Sequence, residues 1–275
     1  DLLVVGGGNE RPLIAAEAYM LYLYRNDGRG RFTPEVLLPN LAGSSQCARA
    51  FDYDRDGDPD VLLTGRQIPG KYPLPARSYL LRNDAGRFTD VTAQVAPGLT
   101  DLGLVCDAQP LDVDGDRDED LVLVGEWMPV TIYKNENGRF IPHSAFRIPH
   151  ANGWWNCLAA GDFDHDGDPD LLLGNEGLNT LYRASPVEPP RDVLNQQIVQ
   201  FRRKFLHYAD YAKAGFDDLF SKIDLEGAWR GEAQELRSCY AENLGGGKFT
   251  LRPLPTLAQM APIFGFAVRD FDGDG

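Results

Sequence analysis

The sequence is poor in cysteine and histidine, and it has no long apolar run. Four cysteines in 275 residues are too few for a disulfide-stapled scaffold. No stretch of 18 or more apolar residues occurs, so no segment predicts a membrane-spanning helix. The four histidines, His143, His150, His165 and His207, lack metal-ligand spacing, which argues against a histidine-based metal centre.

Catalytic motifs are missing as well. Ser44 and Ser45 do not lie in a nucleophile-elbow frame, and the glycines at 6–8 lack the pattern of a phosphate-binding loop. We therefore predict that the chain is not an enzyme.

Negative charge is abundant, but it is confined to a few places. The formal net charge is −14, and 20 of the 41 acidic residues fall at Asp1 or in four short segments of one pattern. A charge so localised predicts neither an acidic tail nor a nucleic-acid partner. With 43% hydrophobic residues the chain can bury a large core.

The acidic segments are loops of nine residues with aspartate at positions 1, 3, 5, 7 and 9. Three are complete: loop one (52–60), loop two (112–120) and loop three (162–170). Loop four begins at Asp270 and continues to the last residue, Gly275. Glycine stands at position 6 of loops one and three, whereas loop two has Gly115 and Arg117 instead, so we expect loop two to be the weakest complete site.

Carboxylates at this density need a counter-ion. Each pair about 5 Å apart repels by roughly 1 kcal/mol in water and about 3 kcal/mol at a surface-like dielectric. Calcium accepts six to eight oxygen ligands in an irregular cage, which magnesium does not. We predict one Ca²⁺ per loop, held by the side chains at positions 1, 3, 5 and 9, with the position 7 carbonyl as a fifth ligand. The candidate ligand residues are Asp52, Asp54, Asp56, Asp58, Asp60, Asp112, Asp114, Asp116, Asp118, Asp120, Asp162, Asp164, Asp166, Asp168, Asp170, Asp270, Asp272 and Asp274.

The loop sequences are compatible with two other structures, an EF-hand and a solvated acidic turn. An EF-hand requires glutamate at position 12 and flanking helices, whereas position 12 here is Leu63, Leu123 or Leu173 within apolar, strand-like segments. That interpretation is rejected. The alternative of solvated acidic turns stays open, although three copies in the same frame argue against it.

The repeat spacing predicts an all-β fold. Copies of position 9 stand at Asp1, Asp60, Asp120 and Asp170, spaced by 59, 60 and 50 residues. Each is followed by an apolar strand, a second apolar segment, an Asn-to-Gly turn and a strand bearing phenylalanine. One such sheet cannot bury both faces alone, so we predict a β-propeller, with seven blades in full and four to five represented here.

The regular spacing breaks after loop three. We predict propeller blades over 1–191, a small α-helical insertion within a blade over 192–237, and a blade over 238–275 that continues past the chain end. Within the insertion, helices are expected after Asp192, over Asp217 to Phe220 and over Asp224 to Arg237.

Three cysteines occupy equivalent places before the complete loops. Cys47, Cys106 and Cys157 lie five or six residues upstream, among small residues. Equivalent positions of different repeats give poor disulfide geometry, so we predict buried free thiols.

These motifs carry a family resemblance. The acidic loops entering leucine-rich strands, the segment Tyr79 to Thr92, and Phe264-Gly265 before loop four resemble VCBS or FG-GAP repeat propellers, relatives of the integrin α-subunit head. Further segments resemble large bacterial VCBS-repeat proteins that often carry an ASPIC/UnbV domain. They are Asn152 to Asn156, Gly177 to Thr180, Tyr182 to Pro186 and Ala258 to Pro262.

The resemblance implies secretion or display at the bacterial outer-membrane surface, often as a lipoprotein, with calcium in the loops. Any signal peptide or lipid anchor would lie outside the chain. The same relatives lead us to expect another acidic loop and strand between Pro190 and Arg191, either deleted or unobserved here.

A ligand surface is predicted from one aromatic and polar cluster, made up of Glu126, Trp127, Trp154, Trp155 and Asn156. Packing between blades is the alternative role for these side chains. We expect a calcium-binding module at the cell surface that binds a protein or glycan, or assembles with subunits of an outer-membrane complex. The alternatives are a secreted enzyme, with its active site in the propeller mouth or in an unseen domain, and integrin-like adhesion.

Overall fold

The computed structural model describes residues 1–9, 16–38, 43–142, 151–179, 207, 220, 221, 223, 226, 227 and 231–271. The chain divides into two compact units, one formed by 1–179 with 231–275 and the other by 180–230. Nearly all described residues belong to the first unit. The Pro190–Arg191 junction and most of the predicted insertion lie outside the described residues.

The described chain folds into four antiparallel sheets in sequence order, which makes it β-propeller-like as predicted. The first sheet contains β1 (Leu2–Val5), β2 (Leu21–Asn26) and β3 (Phe32–Leu38). The second contains β4 (Ser44–Phe51), β5 (Asp60–Gln67), β6 (Tyr79–Asp84) and β7 (Arg87–Asp90).

The third sheet has five strands and the fourth has four. The third contains β8 (Leu104–Leu111), β9 (Asp120–Pro129), β10 (Thr131–Asn135), β11 (Phe140–Pro142) and β12 (Asn152–Trp154), which pairs with the far end of β9. The fourth contains β13 (Cys157–Gly161), β14 (Asp170–Gly174), β15 (Cys239–Asn243) and β16 (Phe249–Pro253).

Helices are short in the described part of the chain. The α-helix α1 spans Thr92–Val95, and 3₁₀ turns span Ala16–Tyr19, Pro97–Leu99 and Thr256–Gln259. Residues 231–237 form no helix, so the predicted helix ending at Arg237 is wrong over that stretch. Glu235 instead makes a parallel β-bridge with Gly153, which holds this segment beside the third sheet.

Both faces of the second and third sheets are buried. Neighbouring residues of a strand point to opposite faces, so each strand packs against the sheets on both sides. On β9, Leu121 belongs to a core cluster with residues of the second sheet, whereas Val122 belongs to a cluster with residues of the fourth. On β5, Val61 and Leu63 pack with Leu21 of the first sheet. This two-sided burial explains the continuous apolar runs that follow the loops.

The first strands of successive sheets contact each other, β1 with β4, β4 with β8 and β8 with β13. Arg49 on β4 donates to a carboxylate oxygen of Asp107 on β8 at 2.6 Å, and the other oxygen of Asp107 accepts from the Leu158 backbone at 3.0 Å. These contacts hold the sheets together along their crowded first strands.

The predicted thiols are confirmed. Cys47, Cys106 and Cys157 lie at matching places on or beside the first strands, and all are buried and free, as is Cys239. Burial raises the pKa of Cys47 and Cys106 to about 12 and that of Cys157 to about 11. The three thiols therefore stay protonated at neutral pH and serve as small apolar residues.

Candidate metal centre

Positions 1, 3 and 9 converge in every complete loop. One carboxylate oxygen from each of these residues lies within 4.8 Å of the other two. The three groups are Asp52, Asp54 and Asp60 in loop one, Asp112, Asp114 and Asp120 in loop two, and Asp162, Asp164 and Asp170 in loop three.

The aspartate at position 9 is buried and hydrogen-bonded in each complete loop. It is the first residue of the second strand of its sheet and is 0% exposed in all three copies. In loop two, one oxygen of Asp120 accepts from the Val113 backbone at 3.2 Å, and the other accepts from the Asn135 backbone at 2.8 Å. Asp60 and Asp170 make the same pair of bonds, so this carboxylate joins the loop to the hairpin of its own sheet.

Position 1 organises the turn. In loop one, the two oxygens of Asp52 accept from the backbone of Asp56 at 3.1 Å and of Gly57 at 3.0 Å. Loop three repeats both bonds, and loop two binds the backbone at its positions 4 and 6 instead. These bonds place the position 1 carboxylate before any metal arrives.

Positions 5 and 7 are not brought into the three-carboxylate groups of the described loops. The position 5 carboxylates (Asp56, Asp116 and Asp166) each accept from the backbone of position 7 at 2.9 Å. At position 7, Asp58 accepts from the Ala85 backbone and Asp118 pairs with Arg55 of loop one. Of the loop four candidates, Asp270 is exposed, whereas Asp272 and Asp274 lie outside the described residues.

The glycine shift in loop two does not change which positions of the turn are left-handed. Positions 4 and 6 have positive φ in all three loops, and each loop places one glycine and one other residue there. Loop one has Arg55 at φ 62° and Gly57 at 93°, and loop two has Gly115 at 78° and Arg117 at 73°. The two loops thus carry the same number of left-handed non-glycine residues, and glycine placement gives no reason to rank them.

The donor set fits a hard cation. A metal ion with oxygens at about 2.3–2.6 Å bridges carboxylate oxygens up to about 5 Å apart, which matches the observed grouping. All the converging atoms are carboxylate oxygens, the ligands that calcium prefers. The acidic loops therefore provide groups that could hold a metal ion.

The buried carboxylates of Asp60 and Asp120 resist ionisation when no metal is bound. Burial is the main cause that raises the pKa of Asp60 to about 6 and that of Asp120 to about 7, against the lowering effect of the backbone bonds they accept. A divalent cation beside these groups would favour the ionised form and oppose that shift.

Sequence reasoning missed a role of the turn asparagines. The side-chain amide of Asn135 donates to the backbone oxygen of Tyr53 in loop one at 3.0 Å, and that of Asn243 donates to Val113 in loop two at 3.0 Å. Each of these bonds joins the hairpin of one sheet to the acidic loop of the preceding sheet. The shared turn motif, Asn followed by Gly and Phe, predicted only the hairpin.

The predicted ligand surface is only partly at the surface. Trp155 is fully buried and donates to the Ala151 backbone at 2.8 Å, so its assignment to that surface is wrong. Glu126 is 2% exposed and pairs with Arg66 and Tyr72, which makes it a buried structural acid. Asn156 is half-buried.

Trp127 and Trp154 are the two tryptophans of this cluster that reach the surface. They are half-buried, and their ring centroids are 4.5 Å apart. Trp127 donates to the hydroxyl of the exposed Tyr72 at 2.8 Å, and its φ of 60° is uncommon for a bulky residue. Tyr72, Trp127 and Trp154 together form an aromatic patch. Glu126 holds this patch in place by accepting a hydrogen bond from the Tyr72 hydroxyl.

The sheets and loops together define an all-β repeat protein in which each acidic loop leads into the second strand of a sheet. The FG-GAP-like repeat family model matches residues 1–63 and 112–173. The chain thus contains FG-GAP-like repeats, as the sequence predicted.

The search of curated proteins finds no match. Among solved structures, the crystal structure of the Vibrio cholerae biofilm matrix protein Bap1 is similar, with 17% sequence identity and a TM-score of 0.32. The match covers 56% of this chain and 20% of Bap1, so the chain spans about a fifth of that protein's length. Among the helices that the structure describes here, none has the length and apolar character needed to cross a membrane.

Proposed function

We propose that this chain is the calcium-binding, propeller-like part of a cell-surface protein, and that it acts as a non-catalytic binding or assembly module. The observation that carries the proposal is the repeated convergence of three carboxylates within 4.8 Å. Calcium there removes the repulsion between carboxylates and fastens each loop to its strand.

An extracellular location suits sites of this kind. The loops offer three converging carboxylates on an irregular backbone, and calcium modules outside the cell work with dissociation constants of about 10⁻⁴–10⁻³ M. The FG-GAP-like repeats and the resemblance to bacterial surface proteins point the same way. Attachment to the outer membrane, as a lipoprotein or within a complex, is part of the proposal.

We expect calcium to raise the thermal stability of the protein. At 1 mM Ca²⁺ and a dissociation constant of about 10⁻⁴ M, each site contributes about 1.4 kcal/mol. For a chain of this size, that corresponds to a rise in Tm of about 3 °C per occupied site. The measurement is thermal unfolding with calcium, with equal magnesium, and with a chelator.

The calcium effect should depend on pH. Calcium binds ionised carboxylates, and the pKa values of Asp60 and Asp120 are raised to about 6 and about 7. The shift in Tm should therefore grow as the pH rises from 5 to 8. Equal Tm values with calcium and with chelator at pH 8 would contradict the proposal, and an equal effect of magnesium would contradict the choice of metal.

The aromatic patch is our proposed contact surface for a protein or glycan partner. Large aromatic side chains dominate binding energy at interfaces, and Tyr72 and Trp127 combine apolar rings with polar atoms. Replacing both Trp127 and Trp154 by alanine should weaken binding by about tenfold or more, which corresponds to about 1.4 kcal/mol. Arrays of immobilised bacterial polysaccharides and surface proteins provide the measurement.

The matched control is Phe32→Ala, because Phe32 is an exposed aromatic residue, 48% exposed, on the first sheet. It should bind like the unaltered protein. Unchanged binding of the double tryptophan variant to every retained partner would show that the aromatic patch is not the contact surface. The polysaccharide and protein arms of the array distinguish the two kinds of partner.

A further inference from the structure

One strand position lies beside each complete acidic loop and differs in charge from sheet to sheet. It is the residue directly before the turn asparagine, and it is Arg82 on β6, Lys134 on β10 and Glu242 on β15. The following asparagine donates its backbone N–H to position 9 of the loop, so this residue is held next to the loop of its own sheet.

In loop two, this residue already bonds to the proposed ligands. The ammonium of Lys134 bonds to Asp114 at position 3 and lies 3.0 Å from an oxygen of Asp116 at position 5. The side chains of Lys134 and Asp114 are only 21% and 13% exposed, so little solvent screens the pair. Asp114 is one of the three converging carboxylates, and a metal ion in loop two would compete with the lysine for it.

Loop one differs because Arg82 bonds elsewhere. Its guanidinium pairs with Asp84 in the hairpin at 3.0 Å, and both side chains are well exposed. The Arg82 charge acts on Asp54 only at longer range. Loop one therefore keeps its three carboxylates available to a cation.

Loop three has a negative charge at this position. Glu242 is paired with Arg252, and its charge also acts on Asp164 of the loop. A further carboxylate near the site increases its attraction for a divalent cation.

We propose that the residue before the turn asparagine sets the calcium affinity of its loop, and that Lys134 is a built-in competing cation in loop two. The calcium affinities should then fall in the order loop three, loop one, loop two. This inference rests on the proposed function, because it ranks the same calcium sites.

The test compares calcium binding by the unaltered chain and by Lys134→Met, using isothermal titration calorimetry and equilibrium dialysis of metal-free protein. Methionine keeps most of the length of the side chain and removes its charge. We expect Lys134→Met to bind one more calcium ion than the unaltered chain at submillimolar calcium, with an affinity gain at that site of about tenfold or more. Lys134→Glu, which copies the fourth sheet, should bind more tightly still.

The matched control is Arg82→Met, which removes the equivalent charge beside loop one. Because Arg82 does not bond to the loop, the number of bound calcium ions should stay the same. Equal calcium binding by the unaltered chain and both Lys134 variants would overturn the inference while leaving the proposed function intact. Calcium binding by none of the proteins would overturn both. Cooperative unfolding in chelator checks that each variant is folded. If one of the two Lys134 variants does not fold, the other is used for the test.

Discussion

Replacing Asp120 with alanine should destabilise the protein by about 3 kcal/mol even when no calcium is present. Asp120 is 0% exposed and accepts one hydrogen bond from Val113 and one from Asn135. Each buried N–H left without a partner costs about 1–3 kcal/mol. Burial also raises the pKa of Asp120 to about 7, so ionisation at neutral pH offsets part of the stabilisation that these hydrogen bonds give. We therefore expect a loss of unfolding free energy in the lower half of the range that two unpaired N–H groups allow. Urea unfolding in chelator measures the loss.

The control for Asp120→Ala is Asp56→Ala. Asp56 is an exposed loop aspartate whose side chain accepts a hydrogen bond from the neighbouring Asp58 backbone. It should lose less than about 1 kcal/mol in chelator. If the two variants were equally stable, position 9 would serve the metal alone and would not join the loop to the hairpin.

Asn135→Ala should have an effect of similar size, about 2–4 kcal/mol. Asn135 is 2% exposed, donates to Tyr53 and Glu119, and accepts from the Gly138 backbone at 2.8 Å. Alanine would remove a partner from the buried carbonyl of Tyr53 and from the backbone groups of Glu119 and Gly138, whose bonds are part-buried, at about 1 kcal/mol or more for each. The change can be measured as a shift in the urea midpoint with an unchanged slope.

Asn26→Ala provides the comparison for Asn135→Ala. Asn26 holds the same turn position in the first sheet, but it is exposed, and its side chain accepts from the Gly28 backbone. We expect a loss of less than about 1 kcal/mol there. An equal loss in both variants would mean that the asparagine matters for the hairpin alone and that the bond to Tyr53 contributes nothing.

The repeat frame was predictable because it depends on local sequence. The apolar runs after position 9, as in Val61 to Leu63, indicated strands buried on both faces, and stacked sheets provide that burial. Asn83 and Phe88 indicated a hairpin and lie opposite each other in the register of β6 and β7. The fold class follows from such patterns because they repeat at a nearly constant spacing.

The detailed site was less predictable. Nothing in the loop sequence distinguishes position 5 from position 3, yet Asp56 turns back to its own loop while Asp54 joins the converging group. The difference lies in which backbone N–H each carboxylate reaches, and that depends on the folded turn. The bonds from Asn135 to Tyr53 and from Lys134 to Asp114 span 82 and 20 residues of sequence, beyond the reach of a local pattern.

The aromatic cluster shows a further limit of composition. Trp154 is the last residue of β12 and Trp155 follows it outside the strand, and the two side chains lie in different environments. Trp155 lies in the core with Leu171 and Val124, whereas Trp154 packs against Trp127. The sequence identified the cluster but did not indicate which tryptophan lies at the surface.

The side-chain bonds of Asn135 and Asn243 have a direction along the chain, since both run from a later sheet to an earlier loop. A polypeptide that emerges with its N-terminus first therefore completes each acceptor loop before the asparagine that binds it is made. The third and fourth sheets can thus each dock on a loop that was made before them. Assembly in this order suits a protein that folds progressively during synthesis, because each acceptor loop precedes its asparagine donor in the chain.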